Sequence, residues 1–235
     1  MRDYLLFRLY APLSAWGDIG VGTARPSAAY PSKSAVLGLL GAALGWSRQA
    51  AERHAALAER VHFGVMVHSR GTLLIDYHTA QVPSTRRKRT YHTRRQELQG
   101  DPINTVLSER EYRCDASYVA ALWAATDEAL PLTDWRSALD RPRYPLYLGR
   151  KSCPPALPLQ PQVVKAETLR EAFACAEFVT HAELPQGDAT SVHFEGDPTH
   201  GGYEVLASTL RRDEPLSRER WQFAERIEHR AKGEP

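Results

Sequence analysis

The sequence is poor in the residue patterns that hold disulfide frameworks, metal ions or hydrolytic active sites. Its three cysteines, Cys114, Cys153 and Cys175, are far apart and form neither a CxxC pair nor a zinc-finger pattern. An odd number of scattered cysteines predicts buried free thiols in a reducing compartment. The patterns HxH, HExxH, GxSxG and paired carboxylates are absent too, so metal-dependent hydrolysis and acyl transfer receive little support. We expect neither a bound metal nor a cofactor.

Long hydrophobic runs are also missing. The longest apolar segment, SAVLGLLGAALGW at 34–46, has about 13 residues, which is too short to span a bilayer. The first residues, MRDYLLFRLYAPLSAWG, carry charges inside their apolar stretch, which a signal peptide does not. The sequence therefore predicts a cytoplasmic protein with no membrane partner.

Positive charge is scarce overall but concentrated in one place. The formal net charge is +2, yet six of the 30 lysines and arginines lie within TRRKRTYHTRRQE at 85–97. These six are Arg86, Arg87, Lys88, Arg89, Arg94 and Arg95. Guanidinium groups bind phosphates bidentately, so the stretch predicts salt-dependent binding of nucleic acid, and Tyr91 with His92 could stack on unpaired bases. The alternative is a solvated arginine-rich loop without a partner.

Hydrophobic periodicity predicts a mixed α+β chain. In order, it favours a strand at 3–10, helices within 30–45 and at about 50–60, strands at 61–69 and 72–80 forming a hairpin, a long strand at 110–125, a helix at 133–140 and a glycine-turned segment at 141–155. This order approximates the βαββαβ pattern of the ferredoxin-like fold. The basic stretch interrupts it from 81 to about 105, where no hydrophobic period occurs.

The pattern changes after about residue 156. Short strands near 176–182, 191–196 and 203–210 predict a small β-rich region, and 217–235 reads as a charged helix or a loose tail. The predicted organisation is therefore a domain at 1–155, with a basic insertion at about 80–108, followed by a C-terminal region at 156–235.

The helix within 30–45 has a marked start and a glycine-lined side. Ser32 or Ser34 can cap it, and free N–H groups at Lys33 and Ser34 could attract an anion, although a simple helix cap explains the same residues. Gly38, Gly41 and Gly45 recur at three- and four-residue spacing, which predicts that this side packs closely on a neighbour.

A second candidate phosphate site is the segment YLGRKSC at 147–153. Gly149 would let the backbone approach a phosphate, Arg150 and Lys151 supply charge, and Tyr147 offers an aromatic face. An ordinary surface turn is the alternative.

Two tyrosine–histidine pairs, Tyr77-His78 and Tyr91-His92, raise the question of whether the protein cleaves RNA. A metal-independent ribonuclease needs a general base for the 2′-hydroxyl and a cation for the developing phosphorane, which histidine beside lysine or arginine could provide. Such a histidine could equally serve as a hydrogen-bonding or stacking group.

Four stretches taken together resemble a known family. They are YPSKSAVLGLLGAALG (30–45), DYHT (76–79), REYRCDASYVAALW (110–123) and RPRYPLYLGRKSCPPALPL (141–159). They are similar, in the same order, to the CasD family, the CRISPR-associated RAMP subunits of type I-E Cascade surveillance complexes. The resemblance runs from Met1 to about residue 160 and is looser over the last 75 or so residues.

The resemblance implies a ferredoxin-like (RRM-like RAMP) domain with a thumb at about 80–108 and a small C-terminal β-rich domain. Family members grip the 5′ handle of CRISPR RNA (crRNA) and cap one end of the complex. Their thumb packs on the adjacent backbone subunit, while the large subunit and target DNA are met through the assembled complex. Carried over by motif, handle contacts fall on Arg110 and on Tyr147, Leu148, Gly149 and Arg150, with Lys33 and Ser34 at the first helix and His78 at the thumb's base.

The same resemblance implies a subunit that binds without cutting. Type I-E systems process precursor RNA with a separate subunit, so this chain would have no catalytic residues. The rival is a sister lineage, in type I-C systems, that cleaves the precursor with a tyrosine–lysine–histidine type of site. Here Tyr77, His78, Lys88 and His92 are the residues that could be imagined in that role.

Overall fold

The chain is organised around one strand of 22 residues, β7 (Ile103–Ala124). The structure is a computed structural model that describes residues 1–83, 90–99, 103–182, 184–185 and 189–233. The other strands are β1 (Arg2–Ser14), β2 (Trp16–Gly17), β3 (Ala24–Arg25), β4 (Ser27–Ala28), β5 (Val61–Ser69), β6 (Thr72–Pro83), β8 (Gln162–Ala166), β9 (Ser191–Phe194), β10 (Val205–Ser217) and β11 (Gln222–Lys232). The helices are α1 (Lys33–Ala43), α2 (Ala51–Arg60), α3 (Arg94–Leu98), α4 (Leu132–Asp140), α5 (Leu169–Cys175) and α6 (Pro198–Gly201).

Within the described residues, nine strands form one mostly antiparallel sheet. Its order is β10-β11-β9-β5-β7-β1-β8, and β3 and β6 also pair with β7. The β3–β7 pair is parallel and the other pairs in this sheet are antiparallel. Two short strands, β2 and β4, make a separate pair. The α+β class predicted from the sequence is confirmed.

Both faces of the sheet are apolar. On one face, Leu5 and Phe7 of β1 pack with α1, α2 and α4 in the larger core. On the other face, Tyr4 and Leu6 pack with α5 in a second core. Because successive side chains of a strand point to opposite faces, this two-sided burial explains why β1 reads as a nearly continuous hydrophobic run.

Several predicted elements are confirmed at the expected places. These are the strands at 3–10 and 61–69 and the helices within 30–45, at about 50–60 and at 133–140. Ser32 is the N-cap of α1 and accepts a hydrogen bond from the Ala35 N–H at 3.2 Å. The glycine side of α1 also packs as predicted, since a Cβ on Gly38 or Gly41 would lie within 3 Å of another residue's side chain.

One predicted pairing and two predicted elements are wrong. The strand at 72–80 is confirmed within β6, but it forms no hairpin with 61–69, because the chain bends at Gly71 (φ +61°) and continues along β7. The segment at 141–155 contains the predicted glycine turn, and the next strand, β8, pairs with the edge of β1. The strand predicted near 176–182 is absent, since none of these residues lies in a strand. The segment 217–235, expected as a charged helix or loose tail, contains β11, which extends the main sheet through β9.

An exposed two-stranded arm projects from the sheet. We define the arm as β6 together with Ile103–Cys114 of β7, which pair continuously from Thr72 opposite Cys114 to Pro83 opposite Ile103. Twelve residues per strand make the arm about 40 Å long. The interruption predicted at 81–105 is therefore shorter, because the strands reach residue 83 and resume at 103. Asp115 (φ +52°) marks the point where β7 passes from the arm into the body.

The described residues contain no helix that is both long and apolar enough to cross a membrane. The three cysteines are free, as predicted, but only Cys153 is fully buried, whereas Cys114 is half-buried and Cys175 is exposed.

Candidate nucleic-acid interface

The turn that begins at Tyr147 is fixed against the end of β1. The Ala15 N–H donates to the Leu148 carbonyl at 3.0 Å, and Leu148 is fully buried. Gly149 has a φ of +86°, and a Cβ there would lie 1.8 Å from the Ala15 carbonyl oxygen. Only glycine fits this approach. The turn holds Tyr147, 45% exposed, and Lys151 on the surface.

Arg150 ties this turn to the base of the arm. Its guanidinium donates to the carbonyls of Glu111 on β7, at 2.9 Å, and of Arg25 on β3, at 3.0 Å. It also lies 4.6 Å from the centre of the Tyr112 ring. Both hydrogen-bond acceptors are neutral, so these contacts hold the side chain in position without cancelling its charge.

Arg110 belongs to the same neighbourhood. It is exposed on β7, next to Glu111, and in register with Arg25 on β3 and with Asp76 on β6. Its Nε donates to Ser108 Oγ at 3.4 Å. The structure thus brings Arg110, Arg150 and Tyr147 to one region at the base of the arm, although they are up to 40 residues apart in sequence.

His78 lies further along the arm, on β6. Its Nε2 is 2.5 Å from Asp76 Oδ2, on the same face of the strand. Tyr77 is 58% exposed and points to the opposite face, because neighbouring residues of a strand alternate. The two members of this tyrosine–histidine pair are therefore not presented to one substrate.

The predicted basic tip is described only in part. Arg86, Arg87, Lys88 and Arg89 lie outside the described residues.

The described part of the tip is the short helix α3. Thr93 caps α3 by accepting from the Gln96 N–H at 3.3 Å. Arg94 pairs with Glu97 at 2.6 Å and donates to the Gln81 carbonyl of β6, which ties α3 to the arm. Arg95 is exposed and Tyr91 is half-buried.

Lys33 is not at the surface, contrary to the role predicted for it. It is 3% exposed, and its Nζ lies 2.9 Å from Glu195 Oε1 and 2.7 Å from Glu214 Oε2. Its backbone N–H donates to Asp213 at 2.9 Å. The anion attracted to the start of α1 is therefore the protein's own Asp213 carboxylate, and the Lys33 ammonium is shared between two further carboxylates.

Ser34 is also engaged within the fold. Its Oγ shares a hydrogen bond with Ser32 Oγ at 3.0 Å, and its carbonyl accepts from the Arg218 guanidinium.

Lys33 belongs to a buried ionic network that sequence reasoning missed. Arg226 is 8% exposed and pairs with Asp213 at 2.6 Å and with Glu228 at 2.8 Å. Arg226 also lies 3.7 Å from Glu195. The network joins Glu195, which directly follows β9, and the strands β10 and β11 to α1. Its members are up to about 195 residues apart, so no local sequence motif predicts the network.

The pKa values of these carboxyl groups are shifted by burial and by the charges around them. Burial alone would raise the pKa of Glu195, but His62, Lys33 and Arg226 outweigh it and keep this pKa below its ordinary value. Glu228 is likewise buried, and His193 with the nearby arginines holds its pKa far below the ordinary range. Glu214 differs, because burial raises its pKa in spite of its contact with Lys33.

Comparisons with known proteins identify the family of this chain. The family described as CRISPR-associated protein (Cas_Cas5) matches residues 4–227. A relative from Escherichia coli (strain K12), named CRISPR system Cascade subunit CasD, is 38% identical over 160 residues, which cover 68% of this chain and 70% of the relative.

Two solved structures share the fold. A chain of a CRISPR RNA-guided surveillance complex is 24% identical with a TM-score of 0.65, over 97% of this chain and 88% of that chain. A structure described as a crystal structure of Cas protein is 28% identical with a TM-score of 0.63, over 98% of this chain and 95% of that chain. The resemblance to CasD predicted from the sequence is confirmed, and the chain belongs to the Cas_Cas5 family of CRISPR-associated proteins.

Proposed function

We propose that this chain is a non-catalytic subunit of a CRISPR Cascade surveillance complex and that it binds the 5′ handle of crRNA. The observation that carries this proposal is the turn around Gly149, locked to the base of the arm by Arg150. The family match and the name of the Escherichia coli relative support the same conclusion. In this function the chain caps one end of the guide RNA.

The handle would lie where the turn meets the arm. Unpaired RNA is recognised by stacking on aromatic side chains and by contacts to exposed base edges, while arginines fix the path of the backbone. Tyr147 offers the aromatic face, and Arg110, Arg150 and Lys151 offer the charge. Lys33 and Ser34 have a different part in this proposal, because they hold α1 to the C-terminal strands.

The topology supports a ferredoxin-like RAMP core. The spatial order β8-β1-β7-β5, with α1 and α2 between β1 and β5 and α4 between β7 and β8, corresponds to the βαββαβ arrangement. We propose that the arm and its tip are the family's thumb. The sheet continues past residue 155 through β8, β9 and β11, so the proposed C-terminal region at 156–235 would be an extension of this core.

We further propose that the arm packs on the adjacent backbone subunit. Leu73, Ile75, Tyr77 and Leu107 lie on one face of the arm and are each between 40% and 58% exposed. A two-stranded ribbon is marginally stable by itself, and contiguous exposed apolar side chains mark interaction surfaces. The large subunit and target DNA would be met through the assembled complex.

Binding is favoured over cutting by the geometry of the candidate residues. Tyr77 and His78 face opposite sides of the arm, and His78 is paired with Asp76. A site of the tyrosine–lysine–histidine type would need its tyrosine and its histidine on one side of the scissile bond. A single phosphodiester cannot meet both members of this pair.

The proposed function is tested by copurification. The tagged chain is expressed with the products of its neighbouring genes, and the retained RNA is sequenced. We expect guide RNAs that begin with a common repeat-derived segment, whereas a profile matching total cellular RNA would refute the proposal. Labelled repeat RNA incubated with the purified chain should stay intact. Cleavage that His78→Ala or His92→Ala abolishes would instead establish an endoribonuclease.

A further inference from the structure

A second basic surface adjoins the turn at Tyr147, on the outer side of α1. β10 packs on α1 and α2. The tight turn between β10 and β11 contains Arg218, whose guanidinium donates to the Ser34 carbonyl. A Cβ on Gly38 would lie 2.8 Å from Arg218 Nη1, so the guanidinium lies directly on the glycine side of the helix.

Arg218 has like charge beside it and no carboxylate in contact. Burial, and then the charge of Arg48, lower the pKa of Arg218, while Tyr147 acts in the opposite direction. No ion pair among the described residues includes Arg48 or Arg218. Two neighbouring guanidinium groups without a counter-charge are costly, and an anion between them would relieve the cost.

An exposed tryptophan completes this surface. Trp221 is 55% exposed, and the Arg48 guanidinium lies 4.7 Å from the centre of its ring. Trp221 has a φ of +53°, in the left-handed region that a bulky residue rarely adopts. The turn therefore keeps an indole on the surface in a strained backbone conformation, next to Arg48 and near Arg218. Strain of this kind is concentrated at functional sites.

We propose that Arg48, Arg218 and Trp221 form a second RNA contact, which continues the Tyr147 surface across α1. The two guanidinium groups would hold a phosphodiester, and an unpaired base would stack on the Trp221 indole. This inference rests on the proposed function, because it extends the path of the same RNA strand. It gives the C-terminal hairpin a direct part in holding RNA, in addition to its place in the sheet.

The test measures binding of a fluorescein-labelled single-stranded RNA by the purified full-length chain over a series of salt concentrations. The RNA has the sequence of the CRISPR repeat segment upstream of the spacer. For the double variant Arg48→Ala/Arg218→Ala we expect affinity to fall roughly 10-fold or more. The slope of log K against log salt should fall by roughly 0.7 for each phosphate that the variant no longer neutralises.

Variants of Trp221 test the stacking separately. Trp221→Ala should weaken binding by roughly 5- to 150-fold, whereas Trp221→Phe should retain most of the affinity. RNA should quench part of the tryptophan fluorescence of the unmodified chain, and this part should be missing in Trp221→Phe. The fluorescence readout does not depend on any loss of stability in the arginine variants.

Arg230→Ala is the control for loss of surface charge. Arg230 is exposed near the opposite end of β11, and its replacement removes one of the two charges that the double variant loses. An equal loss of affinity in this control, or no loss in the double variant, would overturn the inference while the proposed function stands. Loss of a protein partner with unchanged RNA affinity would also overturn it. If the unmodified chain shows no affinity for the handle RNA, both proposals fail.

Discussion

Replacing Lys33 distinguishes a structural lysine from an RNA-binding one. Lys33→Met removes the buried ammonium and leaves Glu195 and Glu214 facing each other, with side chains 7% and 21% exposed. Removing one partner of a buried ion pair costs roughly 3–5 kcal/mol. For a chain of this size, that loss corresponds to a fall in Tm of roughly 6–20 °C. Arg226 still lies 3.7 Å from Glu195, so the lower end of the range is expected.

The assay combines thermal unfolding, followed by circular dichroism, with RNA binding at low temperature. Lys151→Met is the matched control, because it removes the same charge from an exposed side chain of the Tyr147 turn. We expect Lys33→Met to lower Tm and leave RNA affinity nearly unchanged. Lys151→Met should change the free energy of unfolding by no more than roughly 0.5 kcal/mol and reduce the salt dependence of binding.

The opposite pattern would refute this reasoning. If Lys33→Met kept its Tm and lost RNA affinity, the lysine would be a nucleic-acid contact and its buried ion pairs would be irrelevant in solution. A double variant, Lys33→Met/Glu214→Gln, adds a second check. It should recover part of the lost stability, because it neutralises the Glu214 carboxylate, which loses its contact with Lys33 in the single variant.

Two further predictions follow from the same structure. Gly149→Ala should destabilise the chain by about 2 kcal/mol or more, because the new Cβ would clash with the Ala15 carbonyl oxygen. Gly17→Ala is the control and should be nearly neutral, because a Cβ there would have no atom of a non-neighbouring residue within 4 Å. Equal Tm values for the two variants would contradict this prediction. Acid should also destabilise the chain, because Glu195 and Glu228 have lowered pKa values in the folded state. Their stabilisation is complete above the unfolded-state pKa of about 4.3 and is lost as pH falls towards the folded-state values, so an unfolding free energy that stays constant from pH 6 to pH 3 would count against it.

Sequence reasoning succeeded where the periodicity is local and strong. Most of the α1, α2, α4, β1 and β5 elements were predicted at nearly their observed positions because each buries a regular apolar face. The pairing of β6 was missed because the partner of a strand depends on contacts far away in sequence. β5 and β6 lie end to end along the same edge of β7, and only the bend at Gly71 marks where one strand ends and the next begins.

The C-terminal strand β11 was missed because its alternation is inverted. Arg226 and Glu228 are buried, whereas Ile227 between them is 56% exposed. Charges that point inwards are stabilised by the network around Lys33 and give no hydrophobic signal. The same long-range contacts explain why Lys33 was assigned to RNA, since Glu195 and Glu214 lie more than 160 residues away. The Gly149 turn was recognisable because its glycine, arginine and lysine are adjacent in sequence.

One continuous strand, β7, forms both the centre of the sheet and one side of the arm. Because successive side chains point to opposite faces, the number of residues in β7 determines which surface of the arm faces which way. Adding one residue to each of β6 and β7 within the arm would exchange the two surfaces of the arm beyond the insertion, because side chains alternate along a strand. Adding two residues to each of β6 and β7 would keep every surface in place and lengthen the arm by about 7 Å. A chain that keeps this sheet can therefore extend its reach only in steps of two residues per strand.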